Sequence, residues 1–290
     1  MSSHIDGVRV GHWTDPVGKT GCTVILFPPK TVASGEVRGG APATREFALL
    51  SPERTVENIH GLLLTGGSAF GLSAADGVVS CLEEDGIGFP TPAGPVPIVV
   101  AMGLYDLMEG DATARPNSEH GKMAFREASS EIQVGQVGAG TGATVGKWRS
   151  REHRRPGGIG LGVAQKEELK VVAIAAVNAL GEPDDGTASK SVLDGTFMNW
   201  PEHPSRSPFS SETNTTLISV TTNAQLSKMD CFLLSQSGHD GLARALFPPH
   251  LSSDGDAVVA AATGQVSAPS LDIVRALTVA AVEQAIQQSC

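Results

Sequence analysis

The sequence predicts an α+β fold in which antiparallel sheets are covered by helices. Segments with strand character come in consecutive groups, and segments with helical periodicity fall between those groups. This order differs from the regular alternation of single strands and helices that predicts a parallel sheet. The chain has 290 residues and 40% hydrophobic content, which is enough for one large core. We therefore expect a single domain over residues 1–290.

Periodicity along the chain predicts the individual elements. Short apolar or β-branched runs predict strands at 7–10, 21–27, 59–64, 98–101, 159–164, 169–177, 215–222 and 257–262. The polar residues 165–168 predict a hairpin turn between two of them. Apolar residues at helical spacing predict helices near 69–82, 122–129, 225–246 and 271–287. Phe70 belongs to the predicted buried face of the first helix, and Gly238 is expected to interrupt the third.

Composition and charge disfavour several classes of function. The formal net charge of -10 disfavours binding to nucleic acid and to anionic membranes. The first eleven residues are polar and predict no signal peptide, and the apolar runs are too short to span a bilayer. The four cysteines have no paired spacing, so we expect reduced thiols, no zinc site and a cytoplasmic protein.

The junction between Asn214 and Thr215 is the most informative part of the chain. Residues 200–214 form a polar linker rich in Pro and Ser, and a β-branched run begins at once with Thr215. A hydroxyl residue at such a joint is typical of hydrolases that use an N-terminal nucleophile. If the bond before Thr215 breaks, its new α-amine can act as the base for its own hydroxyl. The simpler interpretation is an ordinary loop-to-strand junction.

A glycine-rich run from 135 to 146 ends at Lys147. The run fails the Walker A pattern because Thr141 replaces its first glycine and Trp148 follows the lysine. It matches the dinucleotide pattern only loosely, so we expect no cofactor and no bound metal. Lys147 follows a backbone with few side chains, which favours partial burial and a lowered pKa. The alternative is a solvated surface lysine.

Four other polar residues carry possible site chemistry. Asn178 ends an apolar run, where its amide can donate to a developing oxyanion or form a turn. Asp254 and Asp256 can orient a hydroxyl, stabilise an ammonium or bind a cation, or they form a polar turn. Tyr105, the only tyrosine, follows an apolar run and is otherwise explained by packing.

A serine hydrolase with a catalytic triad is a further possibility. Gly66 and Ser68 nearly match a nucleophile elbow, but Phe70 replaces the closing glycine. His239 and Asp240 supply the other residue types of a catalytic triad.

Seven segments together resemble one family, and their order covers nearly the whole chain. They are 7–15, 37–42, 64–72, 138–143, 214–217, 239–245 and 254–256. They resemble the DmpA-type family of self-processing aminopeptidases and amidases, and among its branches the nylon-oligomer hydrolases. The resemblance implies an αββα sandwich and self-cleavage into an α fragment, 1–214, and a β fragment, 215–290. It also implies α/β heterodimers that assemble further, commonly as four.

The resemblance assigns a catalytic set: Thr215, Lys147, Asn178, Asp254, Asp256 and Tyr105. Thr215 would be the nucleophile, and Lys147 and Asn178 would stabilise the transition state or position it. The two aspartates would orient the new N-terminal residue. The implied substrate is a small peptide or an amide oligomer. The alternatives are an aminopeptidase or esterase of the same family, and a non-catalytic small-molecule binder on the same scaffold.

Overall fold

The computed structural model describes residues 4–148, 151–195 and 214–290, which form two five-stranded sheets with helices on both outer faces. The first sheet contains, in spatial order, β1 (Arg9–Asp15), β2 (Thr20–Leu26), β5 (Gly61–Thr65), β8 (Val99–Gly103) and β4 (Ala43–Arg45). The second contains β11 (Gly158–Lys166), β12 (Leu169–Asn178), β14 (Thr215–Ala224), β16 (Ala257–Val266) and β3 (Val32–Val37).

Helices and short strands complete the architecture. The helices are α1 (Ser68–Gly71), α2 (Ala74–Glu84), α3 (Ser118–Arg126), α4 (Thr187–Leu193), α5 (Lys228–Ala245) and α6 (Leu271–Gln288). Three two-stranded pairs are β6 (Phe89–Thr91) with β7 (Gly94–Val96), β9 (Thr144–Val145) with β10 (Arg155–Pro156), and β13 (Glu182–Pro183) with β15 (Leu246–Phe247).

Three apolar cores join the layers. The central core lies between the two sheets and includes Ile25, Leu64 and Leu217. Outer cores pack α2 and α3 on the first sheet, and α5 and α6 on the second. Along β14 the side chains alternate, because Leu217 faces the central core whereas Ile218 faces the helices. The predicted αββα sandwich is confirmed.

Strand pairing in the second sheet brings distant parts of the chain to one edge. Strand β12 pairs antiparallel with β14, so Asn178 lies opposite Thr215. Strand β14 pairs in parallel with β16, with Leu217 opposite Ala257. The end of β12 and the starts of β14 and β16 therefore meet.

The helix predicted over residues 69–82 is wrong in its first turn. Helix α1 ends at Gly71 and α2 begins at Ala74. A Cβ added at Gly71 would lie 1.8 Å from the Gly66 carbonyl oxygen, so the first turn folds back onto the preceding strand. Phe70 is 57% exposed instead of facing the core. The guanidinium carbon of Arg115 lies over the Phe70 ring, 3.7 Å from the ring centroid.

The interruption predicted at Gly238 is also wrong, because α5 is continuous from Lys228 to Ala245. A Cβ at Gly238 would lie 2.7 Å from a methyl group of Val258, so the glycine lets the helix approach β16 closely. The helix begins after Ser227, whose side chain forms a capping box with Asp230.

The predicted processing linker, 200–214, lies outside the described residues except for Asn214. The predicted cut into residues 1–214 and 215–290, and the single domain over 1–290, stay predictions.

Candidate active site

Thr215 is the first residue of β14 and is buried. The β-branched run that follows fixes it at the start of a central strand, since both neighbours of β14 are long strands. Its hydroxyl donates a hydrogen bond to the carbonyl oxygen of Asn214, the residue before it. The hydroxyl oxygen therefore lies beside the peptide group that self-cleavage would break.

Asn214 is held as part of the sheet and is only 1% exposed. It forms a parallel bridge with Asp254. Its backbone N–H donates to the Ser253 carbonyl at 3.4 Å, and its carbonyl accepts from the Gly255 N–H at 2.8 Å. Both sides of the residue before Thr215 are thus fixed by the segment that enters β16.

Lys147 and Asn178 form one buried polar pair. The Lys147 ammonium donates to the Asn178 Oδ1 at 2.9 Å and to the Asn178 carbonyl at 3.2 Å. The backbone N–H of Thr144 donates to the same Oδ1 at 3.0 Å. Gly146, at φ 78°, lets the chain bend before the lysine. Lys147 is 8% exposed, so the surface interpretation is wrong.

Asn178 is the last residue of β12 and does not form a turn. Its Nδ2 donates to the Tyr105 carbonyl at 2.9 Å. Tyr105 therefore contacts the cluster through its backbone, and its side chain is half-buried. Through these contacts the Asn178 side chain links Lys147 to the segment that follows β8.

Asp254 and Asp256 are both buried, and Asp254 forms a strand bridge with Asn214, so the pair lies beyond the turn at residues 252–253 and does not form the polar turn that was the alternative. Asp256 accepts a hydrogen bond from the Thr216 N–H at 2.7 Å. Asp254 accepts from the Leu251 N–H at 2.9 Å. Burial, and then the charge of Asp256, raises the pKa of Asp254 far above its ordinary value. The nearby Lys147 ammonium opposes that rise.

His250 contacts Asp256 in the candidate site, and the sequence did not indicate this contact. Its backbone N–H and its ring Nδ1 both contact one Asp256 oxygen, at 3.2 and 2.9 Å. Its φ of 53° lies in the left-handed region, which is uncommon for a residue with a side chain. No motif in the surrounding Pro-Pro-His-Leu-Ser-Ser stretch predicts this contact.

Asp106, next to Tyr105, is a second residue that the sequence did not indicate. It accepts hydrogen bonds from the Thr20 hydroxyl and from the Gly67 N–H, both at 2.7 Å. Burial raises its pKa to about 6. It ties β2 and the turn after β5 to the same end of the first sheet.

Ser68 and His239 do not form a catalytic pair. Ser68 begins α1, directly after a strand of the first sheet, whereas His239 lies in α5 on the outer face of the second. The His239 Nε2 contacts the Glu36 carbonyl at 3.0 Å, and burial lowers its pKa to about 3.

The glycine-rich loop binds the protein itself. The N–H groups of Gly138 and Ala139 donate to the Thr14 and Thr23 hydroxyls, at 2.8 and 3.0 Å. These donors are therefore engaged within the protein, which weakens the interpretation of the loop as a ligand cradle. Within the described ranges no three His, Cys, Asp or Glu residues cluster as metal ligands. Among the helices of these ranges, none has both the length and the apolar composition of a membrane span.

Known proteins are similar to this chain in both sequence and fold. The family model described as Peptidase family S58 matches residues 3–290. A protein of Mycobacterium tuberculosis named as an uncharacterized aminopeptidase is 38% identical over 292 residues, which is 91% of this chain and 82% of its own. The 6-aminohexanoate-oligomer endohydrolase of Paenarthrobacter ureafaciens is 25% identical over 278 residues, 91% of this chain and 75% of its own.

The solved structure of an L-aminopeptidase D-Ala-esterase/amidase from Ochrobactrum anthropi, described as a variant of the Ntn hydrolase fold, superposes with a TM-score of 0.71. It covers 98% of this chain and 84% of that chain at 19% identity, which supports the fold alone. The family model matches nearly the whole chain, so it shows the family as well as supporting the fold. The chain belongs to peptidase family S58 and is, by family, a hydrolase of peptide or amide bonds.

Proposed function

We propose that this chain cuts itself between Asn214 and Thr215 and then hydrolyses amide bonds of small peptides or linear amide oligomers through an acyl-Thr215 ester. The observation that carries the proposal is the Thr215 hydroxyl donating to the Asn214 carbonyl at the start of a central strand. In this position the hydroxyl oxygen needs only a short approach to the carbonyl carbon.

The released Thr215 amine would be the base for its own hydroxyl. Lys147 lies in the same cluster, where its charge favours a developing anion because the surroundings are buried. Asp256 holds the backbone N–H of Thr216 and so fixes the residue next to the nucleophile. Asp254 forms the parallel bridge with Asn214 and so places its carboxyl group next to the bond that would be cut.

The two fragments would stay together after cleavage. The β fragment, 215–290, supplies β14 and β16, which lie between β12 and β3 of the α fragment, 1–214. Separation would therefore require breaking strand pairs on both sides. We propose an α/β heterodimer that assembles into a homo-oligomer of four such heterodimers, and the mass in light scattering tests this.

An aminopeptidase is the second candidate. The α-nitrogen of Asn214 contacts the Ser253 carbonyl, and a free α-amine of a bound substrate would find the same acceptor. The mycobacterial relative carries an aminopeptidase name and is more similar to this chain than the nylon-oligomer hydrolase is.

An intact-mass spectrum under denaturing conditions tests the self-cleavage. We expect fragments of roughly 22 and 8 kDa, from the mean residue mass, in place of the 29.9 kDa chain. Thr215→Ala should leave the full-length mass and abolish hydrolysis. An uncut wild-type chain, stable over days, would support the non-catalytic binder instead. A Thr215→Ala protein that still turned over amides would remove Thr215 as the nucleophile.

Three substrates separate the two candidates. L-asparaginyl p-nitroanilide offers a free α-amine, its N-acetyl derivative lacks one, and a linear 6-aminohexanoate oligomer offers internal amides. Release of nitroaniline from the first alone would identify an aminopeptidase. Cleavage of the acetylated compound or of internal bonds in the oligomer would support the amide hydrolase.

A further inference from the structure

One backbone N–H outside the predicted catalytic set points at the peptide bond that would be cut. The Gly255 N–H donates to the Asn214 carbonyl oxygen at 2.8 Å, and the Thr215 hydroxyl donates to the same oxygen. Asn214 and Thr215 are both buried, so this oxygen is held by protein groups.

We propose that the Gly255 N–H is the oxyanion donor of the self-cleavage step. This inference rests on the proposed function and assigns its missing catalytic group. The Thr215 Oγ forms a bond to the Asn214 carbonyl carbon, and the carbonyl electron pair moves onto the oxygen that Gly255 holds. The bond from that carbon to the Thr215 nitrogen then breaks, and the nitrogen receives the hydroxyl proton. The product is an ester between Asn214 and Thr215, which water hydrolyses to a carboxylate and a free hydroxyl.

The side chain expected to play this part is engaged elsewhere. The Asn178 Nδ2, the atom that an oxyanion would need, donates to the Tyr105 carbonyl. Its Oδ1 accepts from both Lys147 and the Thr144 N–H, which fixes the orientation of the amide because the reverse would set donors against donors. Gly255 thus supplies the contact to the reacting oxygen that Asn178 was expected to supply.

The Gly255 peptide is rigidly placed before the reaction. The Asp254 carbonyl, in the same peptide group, accepts from the Ala41 N–H at 2.8 Å. On the other side, the Asp256 carbonyl accepts from the Arg38 and Gly39 N–H groups at 3.0 and 3.2 Å. A donor fixed in advance needs no rearrangement as charge develops, which is the condition for strong oxyanion stabilisation.

The same placement explains why the residue is glycine. A Cβ added at Gly255 would lie 2.7 Å from the Thr215 Oγ and 2.9 Å from the Ala41 carbonyl oxygen. A side chain would therefore press on the nucleophile. Glycine is the residue that lets this backbone approach both the hydroxyl and the carbonyl.

Replacing Gly255 by glycolic acid tests the proposal, because the resulting ester has an oxygen in place of the N–H and adds no side chain. The acid is introduced in cell-free translation, and cleavage is followed by intact mass. The ester also weakens the Asp254 carbonyl as an acceptor for Ala41. A matched control therefore replaces Ala41 by L-lactic acid, which breaks that same hydrogen bond and leaves the Gly255 N–H in place.

We expect self-cleavage to slow about 10²–10³-fold with glycolic acid at 255, the usual loss for one oxyanion donor, and to stay near the wild-type rate in the control. Cleavage at the wild-type rate in both would overturn the proposal, and so would equal slowing in both. Hydrolysis of the introduced ester itself gives a break after residue 254, which mass distinguishes. An unmodified chain that never cuts would contradict the proposed function rather than this assignment.

If the glycolic acid protein fails to fold, an uncut Thr215→Ala protein decides the question. Selective labelling of the Gly255 nitrogen and the Asn214 carbonyl carbon allows the coupling across their hydrogen bond to be measured by NMR. A measurable coupling, with slow exchange of the Gly255 amide, supports the proposal. A rapidly exchanging amide without coupling contradicts it.

Discussion

The contact between His250 and Asp256 gives a quantitative test of how the site is held. His250 provides two of the three N–H groups around the Asp256 carboxylate, and only the ring Nδ1 can be removed without altering the backbone. We consider His250→Gly, Asp256→Asn and the double variant, all in a Thr215→Ala background so that every protein is uncut. Glycine adopts the φ of 53° without strain, and asparagine keeps an oxygen for the Thr216 N–H.

A hydrogen bond to a charged group contributes about 1.5–3 kcal/mol. Both groups are largely buried, so solvent screens little of this. His250→Gly also loses packing and gains unfolded-state entropy, but these effects cancel in a double-mutant cycle. We therefore expect a coupling free energy of about 1.5–3 kcal/mol between the two positions. Urea unfolding at pH 7, followed by circular dichroism, measures it. A slope of about 3 kcal/mol per molar converts it to a midpoint difference of about 0.5–1 M.

A coupling below about 0.5 kcal/mol would refute the reasoning. The His250 ring would then only fill space, and the left-handed backbone would need another explanation. A coupling in the expected range would identify His250 as a positioning residue that acts through Asp256 on the strand of the nucleophile.

Two further predictions concern Lys147 and Asp106, which are buried titratable residues. Lys147→Met should slow self-cleavage about 10²–10³-fold, because it removes a buried cation held by Asn178, the residue opposite Thr215. Lys190→Met, on the exposed face of α4, should leave the rate unchanged. Equal mass-spectrometric rates for the two variants would contradict the role of Lys147. For Asp106, burial raises the pKa from 3.8 to about 6, so its contribution to stability is complete below pH 4 and is lost as the pH rises through 6. The free energy of unfolding should therefore fall by about 3 kcal/mol from this group between pH 4 and pH 7. Urea unfolding at the two pH values measures the fall, and Asp106→Asn should remove it. If the variant showed the same difference between pH 4 and pH 7 as the unmodified protein, Asp106 would not be its source.

Local periodicity was enough to predict most elements of the second sheet. The hairpin of β11 and β12 and the helix α6 were predicted within two residues, because a strand buried on both faces and a long apolar stripe leave clear patterns. The break after Gly71 left no such pattern. It depends on a close contact with the Gly66 carbonyl, which only the folded chain contains.

Side-chain chemistry predicted which residues lie in the candidate site better than it predicted what each of them contacts. Lys147 and Asn178 were expected near Thr215, but their mutual hydrogen bond and the Tyr105 carbonyl decide what each can do. The contacts of His250 and Gly255 depend on backbone geometry, because His250 lies at positive φ and Gly255 lacks a Cβ. Residue type alone does not report such contacts, because histidine and glycine occur in many loops for other reasons.

The parallel pairing of β14 with β16 is what assembles the site. Both strands start at the same edge, so Asn214 lies beside Asp254, and Asn178 reaches that edge because β12 runs the opposite way. If β16 ran antiparallel to β14, the Asp-Gly-Asp segment would lie at the other end of a ten-residue strand, about 30 Å away. A parallel neighbour needs a long crossover, and α5 provides it between the two strands. The helix that covers the second sheet is therefore also the element that lets the Gly255 N–H reach the Asn214 carbonyl.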